Sequence, residues 1–198
     1  MTRRKTRRMG YLILVGFVAL ISVSGIISLQ PYETLVNRLT RGAALLGYLA
    51  VFLAIISSIT MRQLVRFFGR PFVQVHHILS VTGLILVTLH PLGVAWSSAS
   101  VRVFLPRFGS WLAFLQWGGS PAWYLLNAAA LAAALRTTIG PNWRVVHFLN
   151  YLAFGLGSVH AILIGTDFQR AIVKAVPIAM AILVMTTLIR KRFQRRQR

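Results

Sequence analysis

Residues 73–96 read VQVHHILSVTGLILVTLHPLGVAW, and residues 145–165 read VVHFLNYLAFGLGSVHAILIG. Each run is close to the ~20 apolar residues that a membrane-spanning helix needs. Each carries a pair of histidines at nearly the same interval, His76 and His90 in the first, where His77 follows His76, and His147 and His160 in the second. Ionisable side chains are costly in a bilayer and mark functional positions there. Four of them at matched depths, in stretches otherwise kept clear of charge, decide how the rest of the chain is read.

Further apolar stretches of similar length run from Gly10 to Leu29, Gly42 to Thr60, Pro121 to Thr138 and Ala171 to Ile189. With 57% apolar residues and a mean hydropathy of +0.70 over 198 residues, the expectation is an all-α polytopic membrane protein. Residues 1–198 then form one domain of six transmembrane helices, with a basic head at 1–9 and a basic tail at 190–198. The first helix follows Thr2-Arg3-Arg4-Lys5-Thr6-Arg7-Arg8. Its length and the lack of a small-residue cleavage site read as a retained helix rather than a signal peptide.

The net charge of +20 does not imply nucleic-acid binding, because the basic residues lie at helix ends rather than on one polar face. They report topology. With both termini cytoplasmic, sixteen Lys and Arg fall on the inner side and six on the outer: Arg38, Arg41, Arg102, Arg107, Arg170 and Lys174. The positive-inside rule and an even helix number agree. The cell inner (cytoplasmic) membrane is the expected location. The only carboxylates, Glu33 and Asp167, then lie near the outer surface, solvated or paired with Arg.

Cysteine is absent, which excludes disulfides, iron–sulfur clusters, thiolate ligation and covalent c-type haem. Glycine-rich phosphate cradles are also missing, and no soluble stretch is long enough for a nucleotide or flavin domain. Helices three and five both run outward. His76 and His147 therefore share the inner side, and His90 and His160 the outer side, about 20 Å away along each helix. Paired imidazoles on neighbouring helices are a common axial ligand set for b-type haem, so two haems are expected. His77 remains an alternative to His76 as the inner ligand. Fourteen residues return His90 to within roughly 40° of the azimuth of His76, whereas thirteen leave His147 and His160 roughly 140° apart. The fifth helix therefore needs tilt, unwinding or reach, for which Gly155 and Gly157 offer room, and Pro91 opens the outer end of the third.

The stretch Trp143-Arg144-Val145-Val146-His147-Phe148-Leu149-Asn150-Tyr151 followed by His160, with His76-His77-Ile78-Leu79-Ser80 leading to Leu89-His90-Pro91, resembles the ferric-reductase-like transmembrane domain family. That family takes in ferric reductases, the membrane part of NADPH oxidases and the MsrQ-type haem subunits of methionine sulfoxide reductase systems. The resemblance covers about Gly42 to Ile189. The short form without a dehydrogenase domain is most similar to MsrQ, while His at position 76, where MsrQ-type sequences often carry Arg, is similar to the oxidase branch. It implies a di-haem b-type cytochrome, the electron-transfer subunit of an oxidoreductase system. Electrons would come from a cytoplasmic flavin reductase or a quinol, with flavin or quinone supplied by the partner or membrane. They would pass to an outer-side acceptor such as a periplasmic methionine sulfoxide reductase. The haem-iron ligands are then His76, His90, His147 and His160, with no catalytic acid or base. The alternative reading is a transporter or assembly scaffold whose histidines line a proton or metal path.

Several residues carry two readings. Trp143 and Tyr151 either orient haem or quinone or sit at the interface, and Trp96, Trp111, Trp117 and Trp123 read as an outer aromatic belt. Arg70 and Arg144 pair with inner propionates, and Arg102, Arg107 or Arg170 with outer ones, unless topology alone accounts for them. The outer connection from Ser97 to Ser120 is an interfacial segment, serving as a cover or as a docking surface.

Overall fold

The computed structural model describes residues 34–68, 72–168 and 170–196. The described chain is helical throughout: α1 (Leu35–Ile59), α2 (Met61–Phe68), α3 (Phe72–Ser98), α4 (Trp111–Gln116), α5 (Gly119–Ala134), α6 (Arg136–Ile139), α7 (Trp143–His147), α8 (Leu149–Ile164) and α9 (Ala171–Arg196), with short 3-10 turns between. The stretch from Gly10 to Leu29, Glu33 and Arg70 lie outside the described residues.

Four helical stretches are long and apolar enough to cross a membrane: Leu35–Ile59, Phe72–Ser98, Arg136–Ile164 and Ala171–Arg190. They mark the chain as a multi-pass membrane protein. The run expected from Pro121 to Thr138 forms α5, which has only 16 residues. That is about 24 Å of helix against ~30 Å of hydrocarbon. It stops at Leu135 before Arg136, and Gly140, at a φ of 67°, turns the chain through a left-handed conformation that favours glycine.

Local chemistry sets the ends. The Thr34 hydroxyl accepts the Asn37 N–H at 3.2 Å and starts α1, and Ser110 does the same for α4 through Ala113 at 3.0 Å, as N-caps do. On α2, Arg62 and Arg66 are one turn apart, the spacing that puts two charges on one face.

Helices α1 and α3 form the most extensive packed pair. Gly47 and Gly83 permit it: a Cβ on Gly47 would meet the Val87 backbone nitrogen at 2.9 Å, and one on Gly83 would meet Val51 Cγ2 at 3.0 Å. Gly93 similarly admits the Thr40 side chain. Close backbone approach at small residues is the usual basis of helix association in membranes. The second pair is α5 with α8.

The two pairs close into a ring. Trp123 Nε1 on α5 donates to Thr88 Oγ1 on α3 at 2.9 Å. Between α1 and α8, Tyr48 and Ser158 share a hydrogen bond of 2.7 Å, and Tyr48 stacks on Phe154 at 4.9 Å. Across the diagonals, α1 with α5 and α3 with α8, there is little or no backbone contact. Val51, Ile55, Phe154, Val87 and Leu126 belong to the core that fills the ring's interior, and α9 packs on α1 and α8, burying Val184. At one end of the ring Arg41 pairs with Asp167 at 3.2 Å and also bonds Thr166. Asp167 is 8% exposed, so this acid is paired rather than solvated.

The outward face of α3 exposes Ile78, Val81, Ile85, Leu89, Leu92 and Trp96. Their spacing of three and four residues places them on one stripe. His76 and His90 lie on the opposite side, toward α1, whereas His77 is exposed.

Candidate functional site

Each of the four histidines in the apolar runs bonds through Nδ1 to a backbone carbonyl on the antiparallel helix beside it. His76 lies 3.0 Å from Ala54 O, His90 3.2 Å from Thr40 O, His147 3.1 Å from Ala129 O, and His160 2.7 Å from Gln116 O. A carbonyl accepts only, so Nδ1 carries the proton in each ring and Nε2 keeps its lone pair.

The register is exact antiparallel pairing. Fourteen residues separate Thr40 from Ala54, as they separate His76 from His90; thirteen separate Gln116 from Ala129, as they separate His147 from His160. The chain thus contains two antiparallel arms, α1 against α3 and the consecutive α4 and α5 against α7 and α8, each of which presents two tethered imidazoles from its second half.

The imidazoles gather in two tiers. His76 lies near His147, and His90 near His160, Asp167 and Arg41. His76 and His90 belong to one helix of the α3/α8 diagonal, and His160 to the other. His147 closes α7, directly before it.

The thirteen-residue interval is accommodated at Phe148. There α7 ends and α8 begins, with Tyr151 N bonding Phe148 O at 3.1 Å in a tightened turn. Gly155 and Gly157 lie inside uninterrupted α8 and face open space. Pro91 likewise sits within continuous α3 and does not end it.

Other partners are unequal. The Ser57 hydroxyl is 3.1 Å from His76 Nδ1. Asn150 Nδ2 lies 3.3 Å from both ring nitrogens of His147, the one side-chain donor to an Nε2 of the four among the described residues. His77 is exposed, its ring 5.9 Å from that of His76 and tilted. Gly119 lies against His160: a Cβ there would come within 3.0 Å of Nε2. Beside it, the buried Ser120 hydroxyl has no hydrogen-bond partner among the described residues. No group of three His, Cys, Asp or Glu converges among those residues.

Of the arginines, Arg107 stacks over Trp117 at 3.8 Å and Arg144 lies 5.8 Å from the Trp143 ring, while Arg102 and Arg170 are exposed. Trp143 also packs against His147, at 5.4 Å, and Tyr151 packs against the core. Trp96 and Trp111 are exposed. Trp117 and Trp123 turn partly inward, Trp123 against Phe104 of the outer connection. That connection exposes Val101, Leu105, Phe108 and Trp111.

Sequence reading misses the carbonyl tethers, Ser57, Asn150, Gly119 and Ser120. Backbone acceptors leave no mark in a sequence, and small residues are common in membrane helices for packing alone. The one available signal is the repeated interval of the histidines, which the acceptors copy. Comparison of the chain with family models, curated proteins and solved structures finds no match.

Proposed function

We propose that this chain is a di-haem b-type cytochrome of the ferric-reductase-like kind, the membrane electron-transfer subunit of an oxidoreductase system. In this reading six helices span the cytoplasmic membrane with both termini inside. His76 and His147 hold the inner haem, and His90 and His160 the outer one. Electrons enter from a cytoplasmic flavin reductase or a membrane quinol and leave to an outer-side acceptor, of which a periplasmic methionine sulfoxide reductase is one.

The observation that carries the reading is the set of four Nδ1–carbonyl tethers. A histidine that ligates a metal almost always donates its other ring N–H to a carbonyl or carboxylate, which fixes tautomer and orientation and makes the ligating nitrogen more basic. Four unrelated core histidines have no reason to share that arrangement in a common register. Two imidazoles per tier also suit a macrocycle that brings four nitrogens of its own and needs two axial ligands. A bare divalent transition-metal ion typically takes at least three protein ligands, and no such cluster forms among the described residues. The buried Ser120 hydroxyl, without a partner among the described residues and next in sequence to the Gly119 that abuts His160, and the sparse backbone contact between α3 and α8 further support a group seated between these helices.

Haem supplies one-electron chemistry when bound. The chain's residues supply position: α1, α4 and α5 orient the imidazoles, and the core between the tiers excludes water. Asn150 yields Nε2 of His147 on ligation.

The test is the absorption spectrum of the protein purified in mild detergent, oxidised and dithionite-reduced, with haem per polypeptide from pyridine haemochrome. The expected result is about two b-type haems with a sharp low-spin reduced spectrum. Protein made with adequate haem supply and still lacking haem overturns the reading and returns the histidines to a transport path.

A further inference from the structure

The inner histidine His76 differs from the other three in having two acceptors at Nδ1. Ser57 Oγ donates to Ala54 O at 2.8 Å, so toward His76, at 3.1 Å, it offers a lone pair. Ala54 O itself lies 3.0 Å from the same Nδ1. Ser57, Ala54 and His76 thus form a triangle in which one ring N–H faces two oxygens. Ser57 is 4% exposed, so water does not compete. His90 and His160 have a single carbonyl each. The side chain near His147 is an amide nitrogen, a donor.

We infer that Ser57 is a positioning residue for the inner centre, which fixes His76 rather than His77 as its ligand and lowers that centre's reduction potential. The inference rests on the di-haem reading above. A second acceptor draws the Nδ1 proton outward, gives the ring more imidazolate character and makes Nε2 a stronger donor. Stronger donation favours ferric over ferrous iron. His77 stays out of reach because it is exposed on α3 while Ser57 and Ala54 lie buried or partly buried on α1 and bond its neighbour.

Spectroelectrochemical titration of the purified full chain tests this, comparing wild type with Ser57→Ala, Ser57→Thr and His77→Ala, each with its haem content measured. Ser57→Ala is expected to keep wild-type haem content, to move one of the two haem midpoints to higher potential and to leave the other in place. Ser57→Thr, which restores the hydroxyl, returns the midpoint toward wild type, and His77→Ala moves neither. Loss of one haem in Ser57→Ala, with both retained in Ser57→Thr, also supports the positioning role. Full haem content with both midpoints unmoved in Ser57→Ala overturns it, as does a shift that Ser57→Thr does not reverse. These failures leave the cytochrome reading intact, whereas a wild-type chain without haem defeats that reading instead.

Discussion

A histidine tethered through Nδ1 to a carbonyl has one nitrogen left for chemistry, and here four do so at positions that pair by tier. In the proposed di-haem reading, replacing His90 or His160 removes one axial ligand from one centre only. His90→Ala and His160→Ala are each expected to lower haem from about two to about one per polypeptide while the inner haem persists. Retention of both haems with an unchanged spectrum in either variant contradicts the ligand assignment. Gly119 supplies a subtler test, because its missing Cβ leaves the space that the His160 ring fills, at 3.0–3.1 Å. Gly119→Ala forces the ring aside and should perturb or empty the outer centre, whereas Gly155→Ala, pointing into open space, should leave the α band unaltered. At this scale the histidines were legible as ionisable groups in apolar runs. Their orienting partners were not, because a carbonyl is the same at every residue and only the fold selects Thr40, Ala54, Gln116 and Ala129.

Each pair of tethered histidines belongs to an antiparallel arm whose helices must stay in register, so the α1–α3 contact is as much part of the site as the imidazoles. Gly47 sits where a Cβ would strike the Val87 backbone nitrogen at 2.9 Å, and backbone does not rotate away as a side chain does. Gly47→Ala therefore has to part the helices and is expected to cost about 1–3 kcal/mol of overpacking strain. A lowered melting temperature in detergent measures it, and Gly157→Ala, which meets nothing within 4 Å, is the matched control expected to melt as wild type. Among elements, the four long spans were readable from length and hydropathy, but not their ends: Leu35–Ile59 begins seven residues before Gly42, at its Thr34 cap, Phe72–Ser98 runs two residues past Trp96, and Arg136–Ile164 begins nine residues before Val145. The break at Phe148 was foreseen only as a need. Azimuth demands some irregularity between His147 and His160, and Gly155 and Gly157 are its usual sites. The fold instead tightens directly after His147, the residue tethered to Ala129. The sixteen-residue α5 was equally hidden, since its apolar run reads as a full span until the chain turns at Leu135 and Gly140.

For the whole molecule, the tethers fix which helix ends lie together. Ala54, His76, Ala129 and His147 share one end, with Arg62, Arg66, Arg136 and Arg144 beyond or beside them; Thr40, His90, Gln116 and His160 share the other, with Arg41, Arg102 and Arg107 nearby. The Arg41–Asp167 pair locks this second end, joining the start of α1 to the turn between α8 and α9. In the proposed di-haem reading, with the first end cytoplasmic as the positive-inside rule expects, electrons pass from the His76–His147 tier to the His90–His160 tier. The sequence contains no cysteine, so single substitutions report sidedness without background. Gly109→Cys lies in the exposed connection before α4, where an added Cβ meets nothing within 4 Å, and Thr137→Cys is exposed on α6. In intact spheroplasts a membrane-impermeant maleimide is expected to label Gly109→Cys at once and Thr137→Cys only after permeabilisation. The reverse pattern would invert the bundle, placing His90 and His160 beside the cytoplasm. Electrons from a cytoplasmic donor would then enter at the tier without Ser57, and the outer-side acceptor would have to take them from His76 and His147.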